Sequence, residues 1–236
     1  MKRSPHTAII TPFSIIVLVL FLLIAIGSSK AVTVISENAP VTMRQCVIID
    51  AGHGGVDGGS TSCTGVLESM INLEIALKLN DLFCFLGIDT VMIRTTDCSV
   101  YTSGETIAAK KVSDLKERVR IANNTENAIL LSIHQNHFTN SQYSGAQVFY
   151  APTDGSNLLA QQMQTAFITA LNPGSNRKIK KADGVYLMQN ISCPGILVEC
   201  GFLSNPQEEA KLRDPEYQRN ICCVIAGTMS RYLYSS

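Results

Sequence analysis

Two histidines and two glutamates carry the chemistry that this sequence could perform. His53 closes an apolar run in IIDAGHGGVDGGS, residues 48–60, among glycines that cost conformational entropy unless the backbone must turn sharply or something must approach closely. His134 closes a second apolar run in ILLSIHQNH, residues 129–137. Each run reads as a strand that delivers an imidazole at its end, where side chains from several strands converge in a crevice. A single histidine signals little, since histidines also cap, turn and fill cores; two strands ending this way signal more. Glu68 follows His53 by 15 residues and opens a helix whose apolar face runs Ile71, Ile75, Leu79 and Leu82. A carboxylate in a first turn also complements the helix dipole, so a purely local role for Glu68 stays open. Two histidines and a carboxylate form a three-ligand catalytic zinc set that leaves a fourth position for water. Cys63, in GGSTSCTG, is a rival to Glu68 because thiolate is a good zinc ligand. Strand alternation puts His137 on the opposite face from His134, a flank without a metal role.

Water activated by a metal still needs a base. Glu199 lies in CPGILVECGFLSN, residues 193–205, at the end of an otherwise apolar strand. A carboxylate there is costly unless it is partnered or at work. A salt-bridged strand terminus is the competing explanation; a glutamate of raised pKa that transfers protons is the catalytic one.

The elements that must position these groups alternate. Strands are expected at 46–50, 90–94, 128–133, 147–151, 185–188 and 195–198, and helices at 69–86, 114–123, 156–171 and 215–233. Asp214 before Pro215 reads as an N-cap with proline in the first turn, and Asn205 before Pro206 repeats the device for a short helix. The strands are short and nearly continuous in Val, Ile and Leu, as expected when helices cover both faces. The fold expected is a three-layer αβα sandwich around a mostly parallel sheet of about six strands, in one domain.

The 19 Lys plus Arg balance 19 Asp plus Glu, with no basic run, which argues against nucleic acid as a partner. The N-terminus sets two cations, Lys2 and Arg3, before an apolar segment from Ala8 to Gly27 interrupted only by Thr11, Pro12 and Ser14. Twenty residues are enough to span a hydrocarbon core, and the flanking charge favours a cytoplasmic N-terminus. Residues 1–29 are therefore expected to be a signal or membrane anchor, 30–44 a tether, and 45–236 an exported domain that carries these groups. The eight cysteines show no C-x-x-C pair and fall mostly inside apolar runs, so they are expected to be buried free thiols.

Taken together, IDAGHGGVDGG, LESMINLEIALKL, VMIRTTD, DLKERVRIANN, ILLSIHQN, SGAQVFY and CPGILVECGFLSNPQEEAKL resemble the zinc-dependent N-acetylmuramoyl-L-alanine amidases, the type 3 family of cell-wall amidases, from about Cys46 to Leu233. The resemblance implies zinc ligands at His53, Glu68 and His134 and a catalytic glutamate at Glu199. Asn72, four residues after Glu68, is part of the same pattern and favours Glu68 over Glu74, which reads as a solvated face residue. Within the family the chain looks most like the germination-specific, spore-cortex amidases: one membrane segment, one catalytic domain, and a long insert between Asp97 and Asp114. Only 10 residues from His134 to Ser144 leave no room for the inhibitory helix of some division amidases.

The implied reaction is hydrolysis of the amide between N-acetylmuramic acid and the L-alanine of peptidoglycan stems, a first step towards muramic-δ-lactam. The implied setting is the space between forespore and mother-cell membranes. With no wall-binding module and a short tether that keeps the domain near the membrane, an accessory protein that places or activates it is also expected. Competing functions are a zinc peptidase or deacetylase on another wall bond, and a non-catalytic peptidoglycan-binding module.

Overall fold

The computed structural model describes residues 45–234; the membrane segment and tether expected over 1–44 lie outside the described residues. Among the described residues no helix is long and apolar enough to cross a membrane.

Six strands form one sheet: β1 (Cys46–Ala51), β2 (Asp89–Met92), β3 (Ala128–Asn136), β4 (Gln147–Tyr150), β5 (Lys180–Lys181) and β6 (Gly195–Phe202). Their order is β2-β1-β3-β6-β4-β5. β2, β1, β3 and β6 run parallel, while β4 lies antiparallel to β6 and carries β5 parallel to itself. The carboxyl ends of β1, β3 and β6 therefore share an edge of the sheet with the start of β4.

The helices are α1 (Glu68–Phe85), α2 (Ile107–Asn124), α3 (Ser156–Ala170), α4 (Tyr186–Asn190), α5 (Pro206–Leu212) and α6 (Pro215–Tyr234). Alternation along the strands sorts them into two layers. Ile49, Leu131 and Val198 pack with α1, α3 and α6 through Ile75, Leu159 and Ile225. Ile48, Leu130 and Leu197 face the other way, towards Ala122 of α2 and Leu187 of α4. The expected αβα sandwich with a mostly parallel six-stranded sheet is the fold observed.

Three local expectations need correction. Residues 185–188 are not a strand: α4 occupies that stretch and buries Leu187 and Met188, and the sixth strand is the exposed pair Lys180–Lys181. Four apolar residues are too few for periodicity to separate helix from strand, and a two-lysine edge strand has no apolar pattern at all. α2 starts at Ile107 rather than 114, because Thr106 caps it by accepting a hydrogen bond from the Ala109 amide. Much of the insert read after Asp97 is thus its opening turns. The cysteines of the described residues are free, but only Cys200 and Cys222 are buried; Cys63, Cys84, Cys98 and Cys223 are exposed. An apolar run in an amphipathic helix still has an outward face, and Cys84 of α1 and Cys223 of α6 sit on it.

Both proline devices hold. Asn205 Oδ1 accepts from the Gln207 and Glu208 amides at the start of α5, and Asp214 accepts from the Glu216 amide at the start of α6. β3 and β6 each run further than expected, so His134 and Glu199 lie within their strands rather than just beyond them.

Candidate metal centre and catalytic carboxylate

His53 follows β1 with φ of 62°, in the left-handed region that a non-glycine residue rarely adopts. The turn aims its imidazole back over the sheet edge. Nε2 of His53 and Nδ1 of His134 converge on Oε1 of Glu68, at 3.3 and 2.9 Å. The two imidazoles meet edge to face with centroids 4.9 Å apart. One donor atom from each of His53, Glu68 and His134 lies within 4.8 Å of the others, so the three groups read separately from the sequence form one cluster. Glu68 is buried, whereas both imidazoles keep about a fifth of their surface exposed, 20% and 19%, so the cluster opens to solvent on one side.

Close approach explains two of the glycines. A Cβ on Gly52 would stand 2.2 Å from Nε2 of His134, so the imidazole lies directly over a residue that must lack a side chain. Gly59, at φ of 70°, would place a Cβ 2.7 Å from both Oε2 of Glu68 and the His53 ring. Glycine is required at both positions for the imidazoles and the carboxylate to meet.

A second ring of contacts holds the first. Asp57 Oδ2 accepts from Nδ1 of His53 at 3.0 Å and is itself paired with Lys111. That contact orients the imidazole and turns Nε2 towards Glu68, the kind of support found behind metal-bound histidines. Glu68 Oε2 accepts from the Ser60 amide, and Oε1 from the Asn72 amide group and the Gln135 backbone. Asn72 also donates to the Gly52 carbonyl and accepts from Gln135. Sequence reasoning noted Asn72 but missed two buried arginines. Arg94 donates to the carbonyls of Ala51, Gly52 and Ser69. Arg118 pairs with Asp50 and Asp114 and donates to the His53 carbonyl at 2.8 Å. The available signal was Asp50, an acid inside the apolar run CVIIDA that needed a buried partner.

The charges fit a cation. Burial alone would raise the Glu68 pKa, but hydrogen bonds from His134 and His53 outweigh it and hold the carboxyl well below the usual carboxylate range. Burial would likewise lower His53, and Glu68 with Asp57 more than offsets it, holding the imidazole above its ordinary value. The cluster thus binds a proton where a cation would replace it. Two imidazole nitrogens and one carboxylate oxygen suit zinc in number and chemical type. Cys63 and His137 are both exposed and outside the cluster.

Glu199 is the Cα partner of His134 across β3 and β6, so the two side chains project from the same face of neighbouring strands. Its Oε2 is buried without a hydrogen-bond partner among the described residues. Burial, reinforced by the nearby Glu68 charge and opposed by His134 and His53, pushes the carboxyl up to about 7. The salt-bridged terminus considered from sequence is not what the structure holds: Glu199 forms no ion pair among the described residues. It is placed to exchange a proton at neutral pH.

A three-layer α/β domain with a His–Glu–His cluster and an unpartnered glutamate at its strand ends has the features of a metal-assisted hydrolase. Residues 47–231 match the N-acetylmuramoyl-L-alanine amidase (Amidase_3) family model, and the chain belongs to that family. It is an enzyme that hydrolyses the amide between N-acetylmuramic acid and L-alanine in peptidoglycan, a substrate outside the cytoplasm. The chain is 36% identical over 188 residues to the germination-specific N-acetylmuramoyl-L-alanine amidase of Bacillus subtilis, covering 79% of this chain and 78% of that one. Among solved structures it superposes on the CwlD amidase of Clostridioides difficile, determined in complex with the GerS lipoprotein, with a TM-score of 0.78. That match has 35% identity over 82% of this chain and 100% of the other. The amidase AmiC2 of Nostoc punctiforme matches with a TM-score of 0.68 at 28% identity, over 80% and 97% of the two chains.

Proposed function

We propose that the chain is a zinc-dependent amidase that strips stem peptides from spore-cortex peptidoglycan, with His53, Glu68 and His134 as zinc ligands and Glu199 as general base and acid. The observation that carries this reading is the register that sets Glu199, with an unpartnered buried oxygen, beside His134. When bound, zinc would supply a Lewis acid that polarises the amide carbonyl and lowers the pKa of water. Asp57 and Asn72 keep the His53 and Glu68 donor atoms aimed at the cluster's centre. Glu199 takes a proton from the attacking water as oxygen adds to the carbonyl carbon. It then delivers that proton to the departing alanyl nitrogen as the carbon–nitrogen bond breaks. A carboxyl with pKa near neutrality suits both halves of this exchange.

The similarity to the germination-specific enzyme supports the cortex as the site of action. The reading includes residues 1–29 as membrane anchor, 30–44 as tether and 45–236 as catalytic domain, holding the enzyme on the wall side between the forespore and mother-cell membranes. An accessory membrane protein belongs to it as well, supported by the similarity to an amidase solved with a lipoprotein. The zinc-loaded chain should release peptides with a free L-alanine amine from purified peptidoglycan, read by mass spectrometry, and E199Q should not. Release of muropeptides cut at another bond would replace this reading with a peptidase or deacetylase.

A further inference from the structure

A cavity of about 250 Å³ opens one strand away from Glu199. Gln147, its inner wall, is the Cα partner of Glu199 across β6 and β4. Lys180, further out, pairs with Phe149 of β4 and shares its face of the sheet. His134, Glu199, Gln147 and the cavity therefore form one continuous row across the strands. With strands about 4.8 Å apart, the cavity starts about 10 Å from His134.

Arg177 is fixed inside it. Its Nε donates to the Ser144 carbonyl at 2.8 Å, its Nη1 to Oε1 of Gln147 at 3.3 Å, and its guanidinium lies 4.6 Å from the centre of the Phe202 ring. All three partners are neutral. Among the described residues neither Arg177 nor Lys180 has a carboxylate within ion-pairing distance, Asp183 pairing with the neighbouring Lys181, and no acidic side chain lines the cavity. The nearest carboxylate, Glu208, is committed to the amides of Gly145 and Phe202. Glu208 acts on Arg177 only at a distance, and an arginine held by neutral acceptors without an ion-pair partner presents a planar fork, the geometry that recognises a carboxylate.

We propose that Arg177, aided by Lys180, binds a carboxylate of the stem peptide beyond the scissile amide and so sets which peptides the enzyme accepts. The inference rests on the amidase reading of the site. An extended peptide advances about 3.3–3.6 Å per residue, so a chain leading away from the cluster along this row reaches the cavity with its second or third residue. In the uncut substrate the lactyl carboxyl of the muramic acid is tied up as the scissile amide, so the carboxylates near the site are those of the peptide. Arg177 is thus a specificity-determining residue rather than a catalytic one.

The test compares two muramyl tripeptides whose second residue is a glutamate joined onward through its γ-carboxyl, one with its α-carboxylate free and one with that group as a carboxamide. Their dissociation constants are measured by calorimetry on the full-length, zinc-loaded protein carrying E199Q, with and without R177Q. The carboxylate ligand is expected to bind about tenfold tighter or more, and R177Q to bring the ratio near one. R177K, which keeps the charge and loses the fork, carries the comparison if circular dichroism shows R177Q misfolded, and should reduce the ratio at least threefold. Equal binding of the two ligands, no binding of either, or a ratio unchanged by R177Q, R177K and K180Q would overturn the proposal. Turnover by the unmutated chain, followed in parallel, separates the two questions: a carboxylate preference without release of alanyl peptides leaves the subsite standing and removes the amidase reading.

Discussion

Glu199→Gln should make the metal-free protein more stable and the enzyme nearly inactive, and the stability effect should appear only at neutral and alkaline pH. The substitution keeps the shape of the side chain and removes its ionisation. In the folded chain the carboxyl titrates near 7, against an ordinary value of 4.5, because burial disfavours its charged form. A folded-state pKa above the unfolded one means that the native state binds the proton more tightly. The favourable contribution is complete below pH 4.5 and is lost as the pH rises through 7. The gap between the two values corresponds to a cost of about 3 kcal/mol for wild type at pH 8, an upper bound that E199Q escapes. Urea unfolding of both proteins in chelator, at intervals from pH 4 to pH 8.5, should give nearly equal stabilities at the acid end and a difference widening towards that figure. Zinc should narrow the difference, since a nearby cation stabilises the carboxylate. Turnover by zinc-loaded E199Q should fall about 10²–10⁴-fold, the contribution of a positioned acid–base group. A difference independent of pH, or wild type gaining on E199Q as the pH rises, would refute the reasoning that burial governs this carboxyl.

Gly52→Ala should weaken zinc binding by at least about tenfold in a competition titration, because the new Cβ would meet the His134 ring that must face Glu68. Asn72→Ala removes the donor to both Glu68 and the Gly52 carbonyl, and should cost about 10–100-fold in zinc affinity with little change in secondary structure by circular dichroism. Arg118→Met strands Asp50 in the core without its ion-pair partner and should destabilise the fold by about 3–5 kcal/mol in urea unfolding, with part recovered in D50N/R118M.

The candidate site was legible in the sequence where a polar group interrupted an apolar strand, and the fold was legible where apolar residues marked the strands. Ile48, Leu130 and Leu197 announce the sheet's interior, while His53, His134 and Glu199 stand out because burial of such groups is costly. Position along a strand also says which face a residue takes, so His134 and Glu199 could be placed at strand ends. Their pairing in register depends on β3 lying next to β6, which no local pattern records. The arginines were less visible. Arg94 and Arg118 bind backbone carbonyls around His53 from segments 41 and 65 residues away, and a lone arginine in a helix reads as a surface charge until its partners are known. Lys180–Lys181 became a strand only because Tyr150 and Phe149 offered an edge to pair with.

The central claim is that His53, Glu68 and His134 hold a zinc ion beside Glu199. An anomalous-difference map from crystals of the zinc-loaded protein, collected on both sides of the zinc edge, tests it most directly. One peak per chain is expected, at about 2.0–2.2 Å from a nitrogen of each histidine and an oxygen of Glu68, with Glu199 close by but outside the ligand set. A peak held instead by Cys63 or His137, a peak liganded by Glu199 in place of Glu68, or no peak in zinc-saturated crystals would contradict the account.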